Sequence, residues 1–242
     1  KDQADIDSHA DQTLIQSSSK RITYPGDVKI KDLNGDHVID YGNNTVDDHG
    51  DKTVIGNALP RYAYSINLSG DWNNFFLSAF FQGVGKQDWY PSSECIFWGQ
   101  YNRPFGYMLK AHTGSNVYRE ELDNWDTAYW PRMTTYQSNG TKNWTRLLEI
   151  PNTRYIQSAA YLRVKNIQLD YSFPKHICSA IRLQGLKIYV NAENLFTFTP
   201  LHKYAPNFDP EGLSYDSDFA SAADGYTYPI LKSVTVGVNI TF

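Results

Sequence analysis

Long runs of alternating apolar and polar residues constrain this chain more than anything else in it. In RYAYSINLSGDW (61–72), Tyr62, Tyr64, Ile66, Leu68 and Trp72 share one parity, and Ala63, Ser65, Asn67, Ser69 and Asp71 the other. Successive side chains of a strand point to opposite faces, so this is a two-faced strand. DWNN at 71–74 reads as a tight polar turn. FFLSAFFQGVG then returns with Phe75, Leu77, Ala79 and Phe81 together, which makes 61–85 a hairpin. In YLRVKNIQLDYSF (161–173), Ile167, Leu169, Tyr171 and Phe173 share a face, while Leu162 and Val164 have the opposite parity. A bulge near Asn166, or a strand end clear of the buried zone, accounts for the switch. GLKIYVNAENLFTF (185–198) sets Leu186, Ile188, Val190 and Ala192 against Lys187, Tyr189, Asn191 and Glu193. In KSVTVGVNITF, Val234, Val236, Val238, Ile240 and Phe242 alternate with polar or small residues. Convincing helical periodicity is absent.

Alternation alone fits two architectures. A β-sandwich has a dry core and a wet outside; a membrane β-barrel has a lipid-facing apolar side and a polar lumen. Strand and loop lengths favour the barrel. The runs exceed the average soluble strand of about five or six residues and suit a tilted membrane strand of about nine to eleven. Short connections near 71–74 and 174–184 alternate with long ones at 87–160 and 199–227, as in outer-membrane barrels. Composition agrees: 18 Tyr, 12 Phe and 6 Trp suit aromatic girdles, and they also suit a sugar-binding β module. No run of eighteen apolar residues exists, so a helical span is excluded. The net charge of −4 and the lack of a basic run give nucleic-acid binding no support. The opening KDQADIDSHADQTLIQSSSK lacks the apolar core of a signal peptide and reads as a loop entered midway through a longer polypeptide. Five strands are too few for a barrel, which needs about eight or more, so the expectation is part of a larger one.

The ordered set DLNGD (32–36), VIGN (54–57), FFQGVG (80–85), YLRVKN (161–166) and NAENLFT (191–197), ending in SVTVGVNITF, closely resembles the C-terminal end of SusC/RagA-like TonB-dependent outer-membrane transporters. The resemblance runs from about residue 24 to Phe242. It implies an all-β chain: the last five or so antiparallel strands of a large transmembrane β-barrel of roughly 22 strands, with long extracellular loops. Residues 1–60 would be an extracellular loop bearing the acidic turn, and 61–242 the barrel part. The plug and earlier strands would lie elsewhere in the polypeptide. The implied function is import of glycans or peptides across the bacterial outer membrane, with a SusD-like lipoprotein, TonB acting through the plug, and lipid around the wall. The family places a C-terminal aromatic such as Phe242 in the signal read by the barrel-assembly machinery; equally, Phe242 is simply the last lipid-facing residue. Phe242 then ends on the periplasmic side, so 71–74 and 174–184 are periplasmic turns. Cys95 and Cys178 fall on opposite sides of a core about 30 Å thick, and no bond between them is expected. The alternative is a secreted soluble β-sandwich that binds carbohydrate and carries structural calcium.

Two groups of residues carry candidate sites. Asp32, Asn34 and Asp36 fill positions 1, 3 and 5 of a calcium loop, the Val38 carbonyl position 7 and Asp40 position 9. His37 stands where glycine is usual. The family pattern continues with an Asp that matches Asp51, after an apparent insertion, YGNNTVDDHG. Asp51 closes a Ca2+ (or Mg2+) site after this detour, or the stretch is an Asx-rich turn. No cofactor is required by this reading. The loop aromatics Trp89, Tyr90, Trp98, Tyr101, Tyr107, Trp125, Tyr129 and Trp130 suit stacking on sugars, a partner interface, or packing of the loop on itself. Lys187, Tyr189, Asn191 and Glu193 face the lumen. No HExxH, GxSxG, P-loop or CxxC occurs, so no enzyme is expected.

Overall fold

The alternating runs become strands in the computed structural model, which describes residues 1–16, 23–91, 96–101, 108–133, 147–148, 150–213, 228 and 230–242. The elements are α1 (Gln3–Asp7), β1 (Arg61–Trp72), β2 (Phe75–Lys86), β3 (Asp88–Trp89), β4 (Gln157–Ser158), β5 (Tyr161–Ser172), α2 (Lys175–Ala180), β6 (Gly185–Phe198) and β7 (Ser233–Thr241), with several single 3-10 turns. Two compact units result. One comprises Lys1–Gly56, Tyr90–Ile156 and Asp216–Asp224; the other comprises Asn57–Trp89, Gln157–Tyr215 and Gly225–Phe242.

The second unit is a five-stranded antiparallel meander in the order β1-β2-β5-β6-β7. Its first turn is two residues long. Asn73 and Asn74 both take positive φ, 47° and 69°, the geometry whose twist matches a hairpin and which Asn tolerates. The connection from β5 to β6 is short, as expected, but it contains α2, which strand periodicity did not foresee. Pro174 precedes α2, where a missing N–H costs nothing. Cys178 of α2 is a buried free thiol that reaches the Phe173 carbonyl at 3.6 Å. Cys95 lies outside the described residues.

Register makes one face continuous across all five strands. Trp72, Phe75, Tyr171, Ile188 and Val238 form one row; Gly70, Leu77, Leu169, Val190 and Val236 the next; Leu68, Ala79, Ile167, Ala192 and Val234 a third. The parity switch in β5 is a bulge at Lys165. Phe80 pairs with Asn166 but Phe81 with Val164, so one residue is left over. Opposite it on β6 the pairing jumps from Glu193 to Phe196, and Asn194 takes a φ of 53°. The bulge returns Val164 and Leu162 to the apolar face, beside Phe81 and Gly83. This face is open: Leu68 is 59% exposed, Val236 67% and Phe242 83%. No second sheet lies on it among the described residues, so Ile240 and Phe242 do not make the contacts a sandwich requires.

The opposite face is polar and internally paired. Lys187 bridges Asp170, which also accepts a hydrogen bond from Gln168 at 2.8 Å. Ser233 donates to Glu193 at 3.2 Å. Tyr189 lies over Gly237, where an added Cβ would stand 2.2 Å from its ring. On the apolar side Tyr64 crosses Gly83 in the same way and donates to the Tyr161 carbonyl at 3.2 Å. No described helix is long and apolar enough to cross a membrane.

Candidate functional site: the acidic turn and the aromatic cleft

In the first unit the acidic turn folds around its own carboxylates. Asp32 accepts from the Gly35 N–H at 2.6 Å and the His37 N–H at 3.0 Å. Asn34 accepts from Asp36 N–H, and Asp36 from Val38 N–H at 2.8 Å. The Gly35 N–H, chiefly, holds the Asp32 carboxyl below the usual carboxylate range. Gly35 and His37 both take positive φ, 81° and 64°. Asp51 does return to the turn: its two oxygens accept from Leu33 N–H at 2.6 Å and Asp40 N–H at 2.9 Å. The intervening segment forms its own closed loop, with Asp51 N–H on the Asp40 carbonyl and Asp48 holding Asn43. The side-chain oxygens therefore sit on backbone N–H groups, as in a chain of Asx turns. Among the described residues no three His, Cys, Asp or Glu side chains are gathered to hold a metal ion. As placed, the side chains of Asp32, Asn34, Asp36, Asp40 and Asp51 each accept at least one backbone N–H.

The loop aromatics are largely packed. Trp98 is 0% exposed and Trp130 1%. Trp98 meets Phe97, Trp130 and Tyr155 within 5.0 to 6.2 Å, and Trp130 stacks on Tyr155 at 5.7 Å. Tyr129 packs against both Trp130 and Tyr155. The Tyr90 hydroxyl lies 2.8 Å from the Leu148 carbonyl and 2.9 Å from that of Ile150, and accepts from Asn152 at 3.0 Å. Burial pushes the Tyr90 and Tyr155 hydroxyls well above their ordinary range. In the other unit Trp89 is buried against Phe208 at 5.3 Å. A ring enclosed in this way has no face left for a sugar or a partner, so packing is the role the structure gives to Trp89, Trp98 and Trp130. Trp125 differs, at 47% exposed. Tyr107 and the Tyr101 side chain lie outside the described residues.

Three features of this unit carried no sequence signal. Arg132 makes a paired contact with buried Asp27, at 2.6 and 3.1 Å, and covers Tyr24 at 4.6 Å. Asn124 ties the Ser115 and Val117 carbonyls to the Arg119 N–H. His112 is buried edge-on to Trp130 at 4.3 Å, and burial lowers its pKa to about 4. The acidic turn and the aromatic cluster meet along a cleft of about 1190 Å³, whose lining includes Tyr41, Asp51, Trp125, Asn152 and Arg154. One half-exposed indole among carboxylates, an amide and a guanidinium offers stacking and hydrogen bonds, and no constellation there supports bond-breaking chemistry.

No family model matches the chain. It is similar to curated TonB-dependent receptors of Formosa agariphila. Identity is 24% over 233 residues with TonB-dependent receptor P39, covering 93% of this chain and 20% of the relative. It is 23% over 229 residues with TonB-dependent receptor P26, covering 90% and 20%. A solved structure of the RagAB peptide importer in the "closed-closed" state aligns with a TM-score of 0.54 at 19% identity, over 82% of this chain and 19% of that one. The chain spans about a fifth of the length of these relatives. The resemblance to TonB-dependent receptors read from the sequence stands, and the five-stranded sheet is an all-β segment of a barrel wall.

Proposed function

We propose that this chain forms the C-terminal wall and three external loops of an outer-membrane, TonB-dependent importer. The observation that carries the reading is the continuous, exposed apolar face of β1-β2-β5-β6-β7, backed by a paired polar face: an arrangement suited to lipid outside and water inside. The importer would take up a glycan or a peptide and work with a surface lipoprotein. The cleft bearing Trp125 supports contact with such a ligand or partner on the cell exterior. Residues 1–60 are an outer loop in this reading, and 61–242 contribute the wall. Calcium at the 32–51 turn would stiffen that loop, since extracellular calcium fills weak sites; calorimetric titration of the full-length protein should give a binding heat that Asp32→Asn removes. Fractionation of cells that make the full-length protein tests the main reading. Recovery in the outer membrane, extractable only by detergent and with heat-modifiable mobility, is the expected result. Recovery in the soluble fraction would overturn it.

A further inference from the structure

The segment after β6 does not stand away from the sheet. Arg163 lies in the polar row, paired with Gln82 on one side and Thr197 on the other. Its side chain is 3% exposed and reaches across to residues that follow β6: Asp209 at 2.6 Å and Glu211 at 3.2 Å, with Thr197 accepting from its Nε at 2.8 Å. The bulged Lys165 adds a second cation on Glu211, at 2.7 Å. The same segment is seated by apolar contact. Leu201, Ala205 and Phe208 are buried, Phe208 against Trp89, and β4 packs on the 3-10 turn Pro200–Lys203. His202 holds the Phe208 carbonyl at 3.1 Å, and Asp209 caps the turn at Pro210–Gly212. Two cations and two carboxylates removed from water hold only while all are matched. A loop that merely hung in solvent would need neither the buried guanidinium nor the aromatic seat.

We propose that residues 199–213 form a strap folded over the lumenal face of the wall at its outer end, clamped by Arg163 and Lys165, where it narrows the mouth of the pore. The inference rests on the importer reading, because only in a barrel is the polar face the lumen. Pro200, Lys203, Pro206 and Asn207 are its exposed residues, so they are the ones that meet an entering solute. Their small polar surface and lone cation would set a limit on solute size.

The test uses the full-length transporter in outer membranes, with Cys95→Ser and with Asn207→Cys as reporter. A 5-kDa polyethylene-glycol maleimide and a small impermeant maleimide are added from outside. With Arg163 in place, the small reagent labels at least tenfold faster than the large one. Arg163→Met frees the strap, and the two labelling rates converge. Phe208→Ala, which keeps all charges, loosens the seat and gives the same convergence if Arg163→Met fails to assemble. Equal labelling by both reagents with Arg163 and Phe208 intact, or unchanged labelling in both variants, overturns the strap. Absence of the unsubstituted protein from the outer membrane overturns the importer reading instead, so the two failures are distinguishable.

Discussion

Tyr189 lies where a side chain at position 237 would have to go. Gly237→Val should therefore force the ring off the wall, and overpacking of this kind costs about 1–3 kcal/mol; the heat-modification temperature of the assembled barrel should fall, while Ser233→Val, at the exposed start of β7, leaves it nearly unchanged. Arg132 is matched to a carboxylate with almost no exposure, so Arg132→Ala strands the Asp27 charge, at a cost of about 3–5 kcal/mol. Limited proteolysis between residues 90 and 156 should accelerate in that variant and much less in Asp27→Asn/Arg132→Gln. His112 adds a pH dependence. Its folded pKa, about 4, lies below the ordinary 6.5, so the unfolded segment binds the proton more readily. The contribution is complete above pH 6.5 and is lost as pH falls toward 4, up to roughly 3 kcal/mol. Hydrogen exchange around Trp130 should quicken over that interval, and His112→Phe should flatten the response. None of these three residues could be singled out from the sequence. Gly237 looked like any small residue on a polar face, and the partners of Arg132 and His112 are set by contacts far along the chain.

Elements were more legible than residues, because a strand's periodicity is local. The hairpin at Asn73 and Asn74, the runs at 161–173 and 185–198, and the final strand all follow from period two. So does the bulge, since a switch of parity in an otherwise regular strand requires an extra residue. Deleting Lys165 removes the extra residue itself and so leaves every side chain on its present face, losing only the added bend and twist of the bulge. The expected outcome is a protein that still assembles, read by its heat-modifiable form; deletion of Leu169, in the regular stretch of β5, turns the side chains on one side of the cut to the wrong face and should accumulate unassembled in the periplasm. The helix α2 was not legible, since six residues give no period. The acidic turn was legible only in part. Asp51 folds back on the turn through the Leu33 and Asp40 N–H groups, but the hydrogen bonds that its oxygens and those of Asp32 and Asp36 accept from the backbone left no signal in the spacing.

The fold of the whole molecule followed from loop arithmetic and resemblance; the division of the chain into two units did not. Spacing left three roles open to the loop's rings, and in the structure most of the described ones are packed in a core. Exposure depends on what covers a ring, and spacing carries no record of that. Trp125 is therefore the better probe of ligand or partner contact. Trp125→Ala should lower uptake or lipoprotein capture several-fold without changing barrel mobility, whereas Trp98→Ala should cost about 3–5 kcal/mol and disorder the loop. The two-residue strands at either end of the long excursion have a different consequence. Asp88 pairs with Ser158 and Trp89 with Gln157, and the Ala159 N–H reaches the Gln87 carbonyl at 2.8 Å. This neck ties the two ends of the excursion together before β2 and β5 meet. The entropy of closing the loop then depends little on how long the excursion is. The length of the excursion between Trp89 and Gln157 can thus change without resetting the register of the strands below, provided that the residues that meet Lys1–Gly56, Arg132 on Asp27 among them, are kept.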